Sequence, residues 1–288
     1  MTEHTSAVAR DLEVRMEINA PVDAVWRALT DPTELIRWFP LEAKIEPGAG
    51  GRIWTAWGDA HRNGEEIVIW EPNRRLKTVR RSDTFSEALH GDDAARIPIT
   101  IDYQLEGKGG TTILRLVHSG FQRGTRWDEE YDGTRRGWGF ELRGLRHYLE
   151  RHRGTPRRAA WVRVGIDIDL VEAWSRLFGP KGLAAEGSLS GVAEGSRYAL
   201  RTAQGDDLVG TVVYLGPPRD FAATVAGFND ALLRVKVDEY GGQREAHLWL
   251  STYGVPLERV AAFEERSEQL LRSVFPDATP LFHVSCRG

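Results

Sequence analysis

Apolar and charged residues alternate at the start of the chain. Val14, Met16 and Ile18 face one way and Arg15 and Glu17 the other, the period-two signature of a half-exposed strand over residues 12–18. Pro21 then opens a helix in which Val22, Val25, Trp26 and Leu29 recur at helical spacing. Asp31, Pro32, Thr33 and Glu34 form a second start signal. The aspartate caps, the proline fits the first turn, and the glutamate stands where a capping box wants a carboxylate. That short helix carries Leu35, Trp38 and Phe39. Strand-like segments follow at residues 41–45, 51–57, 65–70, 76–81, 96–105 and 111–118. They are divided by Gly48, Gly50 and Gly51, by Pro72 and Asn73, and by a turn at 107–110. In the clearest of them Ile97, Ile99, Ile101, Tyr103 and Leu105 share a face. Residues 121–133 read as a polar loop. Trp138, Leu142, Leu145 and Leu149 then mark a long helix that ends near Gly154 and Pro156.

The pattern starts again after this helix. Val162, Val164, Ile166 and Ile168 alternate as the first strand does, and Val171, Trp174 and Phe178 make a helical face stopped by Gly179 and Pro180. Strands are expected at 196–201, 208–215, 221–225, 232–237 and 245–250, with a hairpin at Gly241 and Gly242. A final helix carries Leu257, Val260, Glu264, Ser267, Leu271 and Val274 on one face. Trp26 recurs as Trp174, Pro72 as Pro217 and Gly120 as Gly254, at shrinking offsets that give the second copy shorter loops. A duplication with its boundary at residues 152–158 explains this order, and the length of 288 residues suits two domains.

Composition narrows the chemistry. A formal net charge of -4 gives no electrostatic case for nucleic acid. No run approaches the roughly 20 apolar residues of a membrane span, so no membrane insertion is expected. The single cysteine, Cys286, excludes a disulfide framework within the chain and the first ten residues carry no apolar run, which together suggest a cytoplasmic protein. No metal ligand set stands out, because His147 and His152 are five apart and so not on one face of an α-helix. No serine elbow, core cysteine or phosphate loop is found either. Neither a cofactor nor a catalytic residue is therefore expected.

What remains is a surplus of rings, with ten tryptophans in the chain. In the first half the candidates for contact with a small apolar ligand are Trp38, Phe39, Trp54, Trp57, Trp70, Phe121 and Trp138. Arg52, Tyr103, His118 and Tyr148 are the polar groups that would orient it. Trp54 and Trp57 differ by an odd number, so a regular strand points them to opposite faces and one of them misses the cavity. Trp26 belongs to the core. Tyr198, Tyr214, Phe228 and Trp249 are the corresponding aromatics of the second half.

The run from Ile18 through Asn19, Ala20, Pro21, Val22, Asp23, Ala24 and Val25 to Trp26 resembles the START-like (SRPBCC or Bet v1-like) superfamily, in the branch named for the activator of Hsp90 ATPase. So do Thr30 to Leu35, Trp38 and Phe39, Gly50, Gly51 and Arg52, the run Trp70, Glu71 and Pro72, His118 to Phe121, and Gly137 with Trp138. The order and spacing extend over residues 12–151, and the second half shares the layout. The resemblance implies an α+β chain of two tandem helix-grip domains, residues 1–154 and 155–288. Each would be a curved antiparallel sheet wrapped around a long C-terminal helix, with a cavity between them. It implies a small hydrophobic molecule as partner, aromatic or polyketide-like, bound without catalysis in natural-product biosynthesis or self-resistance. A polyketide cyclase or aromatase-like enzyme is the alternative. A cochaperone role is not expected, since the first strand comes almost at once, with no Hsp90-binding domain ahead of it.

Overall fold

The computed structural model describes residues 10–58, 62–80, 98–240 and 242–281. Arg81, Arg96, Ile97, Gly241 and Cys286, on which parts of the expectations above rest, lie outside the described residues. The chain divides into two compact units, residues 1–154 and 155–288.

The first unit runs β1 (Arg10–Ile18), α1 (Val22–Thr30), α2 (Pro32–Leu35), β2 (Glu42–Ile45), β3 (Arg52–Ala56), β4 (Arg62–Glu71), β5 (Arg75–Arg80), β6 (Ile99–Lys108), β7 (Thr111–Phe121) and α3 (Thr125–His147). Its seven strands form one antiparallel sheet in the order β1-β7-β6-β5-β4-β3-β2. Consecutive strands are neighbours except where β1 closes on β7, so the first and last strands meet where α3 packs. Alternation decides the faces. Leu114, Leu116 and His118 of β7 are buried on the inner side, while Arg115 on the outer side bonds Glu13 across the β1–β7 pair at 2.6 Å.

α3 buries Trp138, Phe140, Leu142 and Leu145, and Leu149 is buried in the turn that follows it; these are the expected helix positions with Phe140 added. Its glycines cost the helix roughly 1 kcal/mol each relative to alanine, so docking on the sheet supplies most of its stability. A Cβ at Gly137 would meet nothing within 4 Å, so that glycine serves no close approach.

Two local expectations change. The stretch 121–133 is not a loop throughout, because α3 begins at Thr125. Its first turns are fastened to β1 by Arg10, whose guanidinium bonds the Trp127 carbonyl at 3.1 Å and lies 4.0 Å over the Tyr131 ring. The capping box is only half made. Asp31 Oδ1 accepts from the Thr33 amide at 2.8 Å, but the Asp31 amide already closes α1 by donating to Arg27. Glu34 therefore turns to Arg37 and Tyr148 instead.

The second unit repeats the plan with β8 (Arg157–Ile166), α4 (Leu170–Leu177), β9 (Glu186–Gly187), β10 (Arg197–Arg201), β11 (Asp207–Gly216), β12 (Asp220–Val225), β13 (Ala231–Tyr240), β14 (Gln243–Tyr253), α5 (Leu257–Val274) and β15 (Thr279–Pro280). The sheet order β15-β8-β14-β13-β12-β11-β10-β9 is the first unit's order with one extra edge strand. The repeat anchors fall at equivalent places: β4 ends at Glu71 before Pro72, and β11 ends at Gly216 before Pro217. Each of these two strands also carries a register shift, at Ile67/Ile69 and at Val212/Tyr214. One continuous core links Val162, Leu248 and Leu250 of the sheet with Val260, Phe263 and Leu271 of α5. Val171 and Leu257, expected on buried faces, are 65% and 42% exposed. Both sit in a helix's first turn, where Ala173, Leu177, Phe263 and Leu270 further along make the contact instead.

Candidate functional site

In the first unit the inner face of the sheet, α3 and the segment after α2 bring rings from distant parts of the chain together. Phe39 is the hub. It stacks on Trp38 at 5.1 Å, meets Trp57 edge-on at 5.1 Å and lies against Trp138 at 5.8 Å. Trp138 in turn meets Tyr103 at 6.0 Å and His118 at 6.2 Å, and His118 lies 4.9 Å from Phe121. Phe121 owes its position to Gly120. Simple alternation would turn Phe121 away from His118. A bulge there, with Gly120 at φ +116, brings it back to the inner face. A Cβ at Gly120 would lie 2.8 Å from the Pro98 carbonyl oxygen, so the kink requires glycine.

His118 is the most constrained polar group of this wall. The Trp138 indole N–H donates to its Nδ1 at 2.9 Å, while Nε2 is buried and makes no hydrogen bond among the described residues. Burial, with the positive charge of Arg80 adding, lowers its pKa from 6.5 to about 3, so the ring is neutral. Thr78, Ile101 and His118 stand in one cross-strand row. The Thr78 hydroxyl donates to Glu65 Oε2 at 2.5 Å. The next row holds Tyr103, whose pKa is pushed well up by burial and then by the carboxylates of Glu65 and Glu141.

Six expected residues, Trp38, Phe39, Trp57, Tyr103, His118 and Phe121, thus join Trp138 in one cluster. Four others lie elsewhere. Arg52 and Trp54 alternate with the buried Ile53 and pair with Glu66 and Gly64, which puts them on the opposite face of the sheet, and Arg52 is exposed. Trp70 is returned to the inner side by the β4 bulge but packs edge-on against Trp26 at 5.2 Å. The Tyr148 hydroxyl donates to Glu34 at 2.6 Å and accepts the Gly154 amide at 2.9 Å. It fastens the end of the helix to α2 beside a polar cleft of about 410 Å³ lined in part by Arg27, Glu34 and Arg153. Tyr148→Phe is accordingly expected to cost about 1–2 kcal/mol in chemical denaturation, with ligand affinity unchanged.

Sequence reasoning missed Tyr131, which was assigned to a loop and packs on Phe121 at 5.2 Å, and also Glu65. The signal for Glu65 was present: it lies two residues from the fully buried Ile67 and so shares its face. The expectation for His147 and His152 is corrected. Residues Tyr148–His152 form a π turn, which closes one residue later than an α turn, and the two rings lie 5.0 Å apart. In the second unit Tyr198 and Phe228 belong to the core, whereas Trp249 alternates with the core residues Leu248 and Leu250 and faces the other way. Among the described residues no helix is long and apolar enough to cross a membrane.

No curated protein matches the chain. Among solved structures, protein MLL2253 from Mesorhizobium loti is 25% identical over 50% of this chain and 99% of its own, with a TM-score of 0.43. DynU16, from the dynemicin biosynthetic locus, is 19% identical over 92% of this chain and 96% of its own, with a TM-score of 0.41. The di-domain ARO/CYC BexL from the BE-7585A biosynthetic pathway is 16% identical over 92% and 93%, with a TM-score of 0.40. The family model described as activator of Hsp90 ATPase homolog 1-like protein matches residues 19–150. That match lies within the first unit, which is thus similar to that family.

Proposed function

We propose that the first unit binds a small hydrophobic molecule, aromatic or polyketide-like, between its sheet and α3, as part of natural-product biosynthesis or self-resistance. The observation that carries this reading is the contiguous run of rings from Trp57 through Phe39 and Trp138 to Tyr103, His118 and Phe121. A core serving stability alone favours aliphatic side chains with well-defined rotamers. A wall of rings with two polar groups set among them has the composition of a ligand pocket instead. Burying an aromatic ligand there at about 25 cal/mol per Å² gives useful affinity without specific chemistry. In the second unit Trp174, Phe178, Tyr198 and Phe221 pack on one another and on a continuous aliphatic core, so binding is assigned to the first.

Acid–base catalysis of the cyclase type is disfavoured by the same groups. A histidine with a pKa of about 3 is a weak base at neutral pH, and Tyr103 is a weaker acid than an ordinary tyrosine.

Titration of the full chain with a panel of polycyclic aromatics and polyketides, read by tryptophan fluorescence, tests the reading. Saturable quenching is expected, weakened roughly tenfold or more by Trp57→Ala through lost ring contact and unchanged by Arg52→Ala. A folded chain that responds to no compound class would overturn it.

A further inference from the structure

The His118 ring carries a polar atom that no described residue uses. Its Nδ1 accepts the Trp138 indole N–H at 2.9 Å and therefore bears no hydrogen. In the neutral ring the hydrogen must then sit on Nε2, which is a donor. Nε2 is buried without a hydrogen bond, in a residue only 6% exposed. Orphaned buried donors are rare in native proteins because they lose their water and gain nothing in return. An ordered water there would need two to four polar partners. The ring's cross-strand neighbours are Leu12 and Ile101, and its ring contacts are Phe121 and Trp138. This setting favours a partner that arrives with the ligand.

The required group follows from the atom. A donor in an apolar wall selects an acceptor, and a neutral imidazole brings no charge of its own to hold an anion. A carboxylate would have to be stripped of water, whereas a ketone oxygen accepts one hydrogen bond at little desolvation cost. A plain hydrocarbon would leave Nε2–H unmade, and a site that buries an unpaired polar group discriminates against such a ligand.

We propose that the ligand of the first unit is an aromatic ketone whose carbonyl oxygen accepts the His118 Nε2–H while its rings lie against Phe39, Tyr103 and Trp138. This rests on the binding reading above and adds the one functional group the ligand must carry. Trp138 is then a positioning residue as well as a wall. Its indole N–H occupies Nδ1 and so directs the imidazole hydrogen to the opposite nitrogen.

The test uses three rigid tricyclic probes of nearly one shape: fluorenone, fluorene, in which CH2 replaces the carbonyl, and fluorene carboxylate. Each is titrated into the full chain by tryptophan quenching. Fluorenone is expected to bind about tenfold more tightly than either of the others, the ratio for one well-made hydrogen bond to a buried donor. His118→Phe is expected to bring fluorenone and fluorene within about twofold of each other, while His118→Gln, which keeps a side-chain N–H, retains part of the preference. Trp138→Phe frees Nδ1 of the imidazole, so the ratio of fluorenone to fluorene affinity is expected to fall. Equal affinities in the native chain, a tighter carboxylate, or a preference that survives His118→Phe would overturn the inference and leave the binding reading standing. Failure of the folded chain to bind any of the three overturns both. If His118→Phe does not fold, imidazole nitrogen NMR of the native chain decides. Fluorenone must shift the Nε2–H signal and fluorene must not; a signal that moves with both or with neither overturns the inference.

Discussion

Lowering the pH from about 6.5 to about 4.5 is expected to destabilise the first unit by roughly 2 kcal/mol through His118 alone. Burial, with the Arg80 charge adding, lowers the folded pKa of this ring from 6.5 to about 3. As the pH falls through 6.5 the unfolded chain takes up a proton on His118 that the folded chain refuses. Each pH unit in that window therefore costs up to about 1.4 kcal/mol, and the loss levels off below the folded value. The contribution is fully absent above the unfolded pKa, so the effect runs towards acid only. Asp31, likewise held below its ordinary value chiefly by the Thr33 hydroxyl, adds its own loss only at lower pH. His247 in the second unit is likewise held well below its ordinary value by burial, so the measurement must isolate His118. Urea unfolding of native chain and His118→Phe at the two pH values does so. The variant carries a constant penalty for the unpaired Trp138 N–H, which cancels in the difference between pH values. The difference should equal the predicted loss; parallel pH dependences in the two proteins would sink the argument.

The second large effect is expected from Gly210→Ala, at about 3 kcal/mol or more against the second unit. Gly210 sits in β11 opposite Tyr198 of β10, and a Cβ there would lie 2.0 Å from the Thr224 carbonyl oxygen of β12. That oxygen is backbone, and it also accepts the Tyr198 hydroxyl at 2.9 Å, while the Thr224 hydroxyl accepts the Thr211 amide at 3.1 Å. No side-chain rotation relieves such an overlap. The strands must separate, and the Tyr198 and Thr224 bonds are lost with the shift. Thermal unfolding with amide hydrogen exchange resolves it: protection should fall in β10 to β12 while α3 and β7 of the first unit keep theirs. A variant with native exchange rates in β11 would refute the close approach.

These two effects differ in how far they could be read before the structure was known. His118 was visible as a polar residue in a strand of alternating apolar positions, and its membership of the inner face follows from parity with Leu114 and Leu116. Its unpaired nitrogen was not visible, because that depends on Trp138 arriving from a helix that begins after the strand ends. Gly210 left a weaker trace, a glycine inside a strand pattern, which signals close backbone approach without naming what approaches. Parity alone gives the wrong face where bulges intervene. Trp70 and Phe121 would each fall on the wrong face of a regular strand, and the extra residues in β4 and β7 return them.

By itself the sequence determined most of the elements, their order, their repetition and the α+β class, because these follow from local periodicity, caps and breakers that act within a few residues. It also determined that Trp54 and Trp57 point to opposite faces of a regular strand, and left open whether Arg52 and Trp54 reach the inner one. Only the tertiary structure decided that both face outward, that Tyr148 fastens the end of the helix to Glu34, and that the π turn brings His147 and His152 together. It alone joined Phe39, Trp138 and His118 into one wall. Those outcomes depend on sheet register, on two bulges and on where α3 docks, which are set by contacts between residues tens of positions apart.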